Sequence, residues 1–269
     1  MNCPICMADG LLEFIQFDKW TVKKCPQCGH GITHPFPSQK VLDKLYNEKY
    51  FKQHYQEINP NQKAFSKKIK HESSRVEFLM TSKQKGSLLD VGCGKGYFLY
   101  ACKNNFNCTG FDISGVNENF IRNRLKLNLE ISSWNEAPFE DRSFDAITMW
   151  HSLEHLADPF YALQRCIGWL KQDGIIIIEV PNHSGTDAKI LYNKWPDWDI
   201  PFHLHHFTQK SLFLTVEKLG LEVLKKNSYH SEFIKKDLSK NLFIKPFARM
   251  ISKRYDGTGI VIHCRNKQV

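Results

Sequence analysis

Leu88-Leu89-Asp90-Val91-Gly92-Cys93-Gly94-Lys95-Gly96-Tyr97-Phe98 runs from a short apolar segment into three glycines at alternate positions. Leu88 to Val91 suits a buried parallel strand, and Tyr97 to Cys102 reads as the first turns of a helix. Glycine has no Cβ, so main chain in such a loop can approach a ligand closely. The free N–H groups of a helix N-terminus favour an acceptor-rich or anionic group. A dinucleotide fingerprint would require its third glycine at position 97, which is Tyr97. Alone, the stretch also fits an ordinary tight strand-to-helix turn, so its meaning depends on what surrounds it.

Downstream, Cys108-Thr109-Gly110-Phe111-Asp112 is a second short strand ending in an acid, 22 residues after Asp90. A doubly wound fold presents the carboxyl end of its second strand there, and a carboxylate in that place can accept hydrogen bonds from both hydroxyls of a ribose. Gly115–Lys126 is expected to be a polar helix and Leu127–Ile131 a third strand. Ala146–Trp150 is a fourth strand, Phe160–Lys171 a helix closed by Asp173-Gly174, and Gly174–Val180 a buried strand. Glu222–Lys226 and Gly259–Cys264 supply the sixth and seventh.

Upstream, Cys3-Pro4-Ile5-Cys6 and Cys25-Pro26-Gln27-Cys28 are two C-x-x-C pairs separated by 18 residues. Each pair can set two thiolates on one side of a tight turn, and together Cys3, Cys6, Cys25 and Cys28 complete a tetrahedral S4 site for a structural zinc. Leu11–Phe17 and Trp20–Lys24 alternate enough to be ribbon strands between the knuckles. Thr33 to Ser38 is a linker with two prolines, and Phe65–Met80 reads as one helix. The expected organisation is a zinc ribbon over 1–36, a helical linker over 37–84 and a core over 85–269 with an insertion at 228–258.

Composition narrows the class. Of 269 residues 42% are hydrophobic, enough for a sizeable core. No run approaches the roughly 18 apolar residues of a membrane span, and Met1-Asn2-Cys3-Pro4 shows no secretory signal. Nine cysteines, five of them scattered, point to a reducing compartment, so a cytoplasmic location is expected. The net charge of +9 is concentrated before residue 86 and after residue 224. Such flanks can face phosphate or an anionic membrane, although solvated surface is commoner.

The pattern D-x-G-x-G-x-G over Asp90–Gly96 closely resembles motif I of the class I S-adenosylmethionine-dependent methyltransferases. Pro138–Asp145, the run His151-Ser152-Leu153-Glu154-His155-Leu156-Ala157-Asp158-Pro159 and His203-Leu204-His205-His206-Phe207-Thr208 resemble further signatures of that family. Residues 1–51 are similar to a zinc-ribbon leader found in bacterial members. The resemblance implies an α/β, Rossmann-like core with a mostly parallel seven-stranded sheet whose last strand is reversed. It also implies S-adenosylmethionine as cofactor, held by Asp90, Gly92, Cys93, Gly94, Gly96, Asp112 and Ile113, with Trp150 and His151 at the next strand end and Tyr50 closing over it. Where this chain has Ser133, relatives commonly carry an acid that meets the adenine, so Trp134 stacking on the ring is the alternative contact. H-x-x-E-H also matches an inverted zinc-protease pattern, but that motif needs one continuous helix, and here the run follows a strand and ends in Asp-Pro.

The implied reaction is attack of an acceptor's O, N or C nucleophile on the sulfonium methyl, with His155 the first candidate base and His203 or His205 the second. A small-molecule or glycan or lipid precursor is the expected acceptor. Nucleic acid is disfavoured because no base-clamping N-P-P motif is present, though zinc modules and basic flanks also occur in RNA methyltransferases. A non-catalytic cofactor-binding scaffold is a further alternative. Within the insertion, Phe247, Met250 and Ile251 share one helical arc and Lys245, Arg249 and Lys253 another. That pattern fits a lid packing its apolar face on the core, the favoured expectation, or a basic segment resting on an anionic membrane.

Overall fold

A computed structural model of the chain describes residues 1–45 and 57–267. Seven strands form the main sheet: β4 (Gly86–Val91), β5 (Phe106–Asp112), β6 (Asn128–Ile131), β7 (Phe144–Trp150), β8 (Leu170–Pro181), β10 (Leu221–His230) and β11 (Asp256–Asn266). Their order is β10-β11-β8-β7-β4-β5-β6. All run parallel except β11, which is antiparallel to both β8 and β10. The strand order turns around between β4 and β7, and in open α/β sheets the crevice at such a reversal is where ligands bind.

Alternation along the strands sorts side chains to the two faces of the sheet. Leu89, Ile176, Ile178, Val180, Ile260 and Ile262 join one buried cluster with Leu163, Cys166 and Trp169 of the helix Pro159–Trp169. Leu88, Ile175, Ile177 and Val261 join the other with Phe98, Leu99 and Phe65. Full burial of each such aliphatic side chain contributes about 1.5–3 kcal/mol, so the central strands carry much of the stability.

A second, antiparallel sheet holds β1 (Leu12–Phe17), β2 (Trp20–Lys24), β3 (Gly31–His34) and β9 (His205–His206), in that order. Its last strand comes from the core, with Ile32 paired to His205 and Gly31 to His206. Cys3, Ile5, Cys25 and Cys28 share a buried cluster with Phe207, Leu212 and Val216. The cysteine knuckles are thus part of the same hydrophobic interior as the large sheet.

Several local expectations change. After α1 (Gln39–Leu45), the single helix over 65–80 is two, α2 (Lys63–His71) and α3 (Ser73–Met80), meeting at the buried Glu72. Gly115–Lys126 is a 3-10 turn (Gly115–Asn117) followed by a π-turn (Asn119–Arg124). The helix before β8 stops at Trp169, and Asp173 and Gly174 lie within the strand instead of capping a helix. Leu170 already pairs with Phe144, and Lys171 reaches the Asp145 carboxylate at 2.8 Å. β10 and β11 extend to His230 and from Asp256, into the expected insertion. Between them lie the helix Glu232–Leu238, a 3-10 turn (Lys245–Phe247) and the helix Ala248–Ser252. The last helix turns Ala248 and Ser252 inward and leaves Phe247 and Met250 exposed, so a lid with those two side chains packed on the core is not what forms. Among the described residues no helix is long and apolar enough to cross a membrane.

Candidate active site

At the crevice between β4 and β7 a cavity of about 500 Å3 is lined by Asp90, Gly92, Cys93, Gly94, Trp150 and His151, with Glu72 and Arg75 from the α2–α3 junction. Gly92, Gly94 and Gly96 all have positive φ, at 69°, 53° and 70°. A Cβ on Gly92 would stand 2.6 Å from the Ser152 Cβ. The loop therefore has the left-handed backbone that glycine tolerates and turns its main chain toward the cavity. The Cys93 thiol is buried toward the sheet, where a Cβ on Gly110 would meet its Sγ at 2.6 Å. Burial pushes that thiol well above its ordinary range. Its side chain is packing, and only its main chain is placed for a ligand.

Asp90 is 3% exposed and accepts a hydrogen bond from Thr148 Oγ1 at 2.7 Å. Burial raises its pKa to about 7, against the lowering effects of Thr148 and Arg75. Asp112 ends β5 and accepts the Ser114 N–H at 2.9 Å. Burial raises its pKa to about 6, with the Ser114, Gly94 and Ile113 N–H groups opposing the shift. Ile113 is exposed beside it. Ser133 is exposed and donates to Glu136 Oε2 at 2.8 Å. Trp134 has one face stacked on Trp169, with centroids 6.0 Å apart and planes within 4°, and Phe111 packs edge-on to it. Its role in the apo chain is to pack the core beneath β5. Tyr50 lies outside the described residues.

Trp150 is nearly buried, its Nε1 has no hydrogen-bond partner among the described residues, and the Arg75 guanidinium stands 5.1 Å from its ring centroid. His151 follows with φ +51°. Its Nδ1 faces Glu154 Oε1 at 3.2 Å and its Nε2 faces Glu179 Oε1 at 2.6 Å. Burial alone would lower this histidine's pKa, but hydrogen bonds to Glu154 and Glu179 outweigh it and raise the value to about 10. Glu179 also receives Arg75 Nη2 at 2.9 Å and the Tyr229 hydroxyl at 2.8 Å. These groups, with Glu72 and Thr258, wall a second cavity of about 340 Å3, so Glu72, Arg75 and His151 line both.

Glu72, Arg75, Glu179 and Tyr229 are the site residues that sequence reading missed. Glu179 carried a visible signal, as the one acid in the apolar run Gly174–Val180, because a charge inside a buried strand requires partners. Arg75 sits among other polar residues on a helix, with nothing in its pattern to mark it.

The proposed bases fall in different places. His155 donates through Nδ1–H to the Phe202 carbonyl, 3.0 Å away, and meets the His203 ring edge-on at 4.6 Å. His203 Nδ1 is 2.8 Å from the Asp197 carbonyl, and burial lowers its pKa to about 3. Glu154, His155 and His203 bring ligand atoms within 4.8 Å of one another although 48 residues separate the histidines. Leu153–His155 is a single 3-10 turn, so the helical geometry of a zinc protease is absent there. His205 is buried in the joint between the sheets, with Nδ1 3.0 Å from His30 Nε2. Like His155 and His203 it lines neither cavity, and its contacts are those of the joint.

At the N-terminus, Cys3 Sγ lies 3.5 Å from Cys28 Sγ and Cys6 Sγ 3.5 Å from Cys25 Sγ, with all four within 4.8 Å. Thiolates about 2.3 Å from a tetrahedral zinc stand at nearly this spacing. The Gly29 N–H donates to the Cys25 carbonyl at 3.0 Å with φ +76° at Gly29, the tight turn that a knuckle needs. The donor set fits zinc and leaves no position for a substrate.

S-adenosylmethionine also fits the larger cavity: a glycine cradle opens main chain to it, two acids flank the cradle, and a buried indole N–H stands unpartnered beside it. A family model described as a methyltransferase domain matches residues 55–226, well over half of the chain. The chain is 30% identical over 108 residues to a ubiquinone biosynthesis O-methyltransferase of Actinobacillus pleuropneumoniae, covering 36% of this chain and 46% of that one. It is 27% identical over 177 residues to a demethylmenaquinone methyltransferase of Thermotoga maritima, covering 59% and 76%. The match thus spans about half the length of the ubiquinone-pathway relative. The solved structure of a SAM-dependent methyltransferase from Archaeoglobus fulgidus superposes with a TM-score of 0.52 at 21% identity, covering 74% of this chain and 94% of that one. The strand order, the glycine cradle between β4 and its helix, and the family match agree: the chain belongs to the class I S-adenosylmethionine-dependent methyltransferases.

Proposed function

We propose that this protein transfers the methyl group of S-adenosylmethionine to a small hydroxylated acceptor, of the quinone-precursor or lipid-precursor kind, seated in the smaller cavity. The supporting observation is that the two cavities share Glu72, Arg75 and His151, so a ligand in one abuts a ligand in the other. When bound, the cofactor supplies an electrophilic methyl on a sulfonium. Everything else falls to alignment, desolvation and the management of a proton. Asp90 and the glycine loop would hold the methionine end, and Asp112 the ribose. Ser133 and Trp134 stay candidates for the adenine, Ser133 as the exposed one.

On the acceptor side the wall is polar and charged, with Arg75, His151 and Tyr229 all turned to the Glu179 carboxylate. A hydroxyl, which both gives and accepts hydrogen bonds, matches such a wall better than a hydrocarbon does. His151 is held protonated with both N–H groups on Glu154 and Glu179, so it holds that wall in place and is not the base. His203, with its lowered pKa, is a poor proton acceptor at neutral pH and serves to position His155. His155 lines neither cavity and is retained as the candidate base through Glu154, which lies beside it and bonds the cavity residue His151. In the ribbon the four cysteines would hold a structural zinc.

An isotope-labelled methyl donor offered with hydroxylated quinone precursors, sugar nucleotides and RNA tests this reading. Label is expected in a small hydroxylated acceptor, with Arg75→Ala lowering kcat/KM. Label appearing only in RNA would overturn it.

A further inference from the structure

We propose that the segment between β10 and β11 docks the protein on an anionic lipid bilayer. The segment is pinned at its base. Ser231 is fully buried, its hydroxyl donates to Asp187, and its N–H reaches the Tyr255 carbonyl at 3.1 Å; Ala248 and Ser252 are buried beside it. Its tip is the reverse. Leu242 is 80% exposed, Phe243 90%, Phe247 54% and Met250 63%, an apolar group that nothing in the described chain covers. Isolated surface hydrophobes are ordinary, but four on one short excursion mark a contact surface.

Charge selects the occupant. Residues 231–255 carry seven basic side chains against two acids. Both acids are paired within the segment, Glu232 with Lys235 and Asp237 with Lys240. Lys236, Lys245, Arg249, Lys253 and Arg254 are exposed and form no ion pair among the described residues. Large apolar side chains at a tip with unpaired cations beside them fit a bilayer interface, where the apolar groups enter the acyl boundary and the cations meet anionic headgroups. The two strand ends that carry the segment also present Tyr229 and Thr258 to the smaller cavity. Docking would therefore hold that cavity close to the membrane, which deepens the proposed function by favouring an acceptor with an apolar tail.

Sedimentation of the full chain with vesicles tests the proposal. At low salt the protein should pellet with phosphatidylcholine vesicles containing phosphatidylglycerol and not with phosphatidylcholine alone, and added salt should release it. Leu242→Ser with Phe243→Ser should reduce the bound fraction about tenfold, as should Lys245→Glu with Arg249→Glu. Affinity for S-adenosylhomocysteine should be unchanged in both variants, which shows that they fold. Absence of phosphatidylglycerol-dependent pelleting, or pelleting of both variants equal to that of the wild type, would overturn the proposal. So would a wild-type dimer, or capture of RNA, that the apolar variant loses, since the surface would then belong to a second copy or to a nucleic acid. Methyl transfer to a water-soluble acceptor persisting without vesicle binding would remove the membrane and leave the proposed function standing.

Discussion

His151 is held between two carboxylates, and the pairing has a definite pH signature. Its pKa in the fold is about 10 against an ordinary 6.5. Its contribution to stability is therefore fully present below the lower value and is lost as pH rises through the upper one. Glu179 is shifted the other way, from 4.5 to about 2: burial would raise it, but hydrogen bonds and charge from His151 and Arg75 prevail. Its contribution is present above the ordinary value and is lost as pH falls through the depressed one. In thermal denaturation, His151→Gln should lie furthest below the wild type near pH 6, and the gap should narrow towards about pH 10. A gap independent of pH would contradict the pairing. Asp112 makes a separate prediction. Replacing it by alanine removes a charged acceptor from the proposed ribose position, worth roughly 1.5–3 kcal/mol of S-adenosylhomocysteine affinity by calorimetry. Unchanged affinity would remove Asp112 from the cofactor site.

The glycine loop shows which elements could be read from local pattern. β4 and β8 each contain a short buried apolar run, and the loop's alternate glycines match three positive φ values. Gly92→Ala should cost about 1–3 kcal/mol, because alanine would adopt a strained φ with its Cβ against Ser152. A melting temperature equal to wild type would show that the loop relaxes. Elements whose limits are set by tertiary partners were not legible in this way. The start of β8 is fixed by Phe144 across the sheet, and the α2–α3 break brings Glu72 and Arg75 to the cavity, where Arg75 meets a glutamate 104 residues away. Half of the candidate site was legible for the same reason. Asp90, the glycines and Asp112 stand at strand ends that sequence periodicity locates, whereas Arg75 and Tyr229 join them only through folding.

At the scale of the whole molecule, the ribbon and the core are fused. β9 belongs to one sheet by pairing and to the other by chain, and Cys3, Ile5, Cys25 and Cys28 share an interior with Phe207, Leu212 and Val216. Removing the proposed zinc should therefore weaken the entire chain, since binding free energy at such a site is folding free energy. Cys25→Ser with Cys28→Ser should bring zinc per chain towards zero by elemental analysis and lower the main calorimetric transition. Zinc retained by that variant would refute the S4 site. The central claim concerns the other centre, the cavity beside the glycine loop, and calorimetric titration with S-adenosylhomocysteine tests it most directly. The expected result is one site per wild-type chain and no measurable binding to Gly94→Val that still shows wild-type circular dichroism. Absence of binding to the wild type, or equal affinity in the variant, would contradict it.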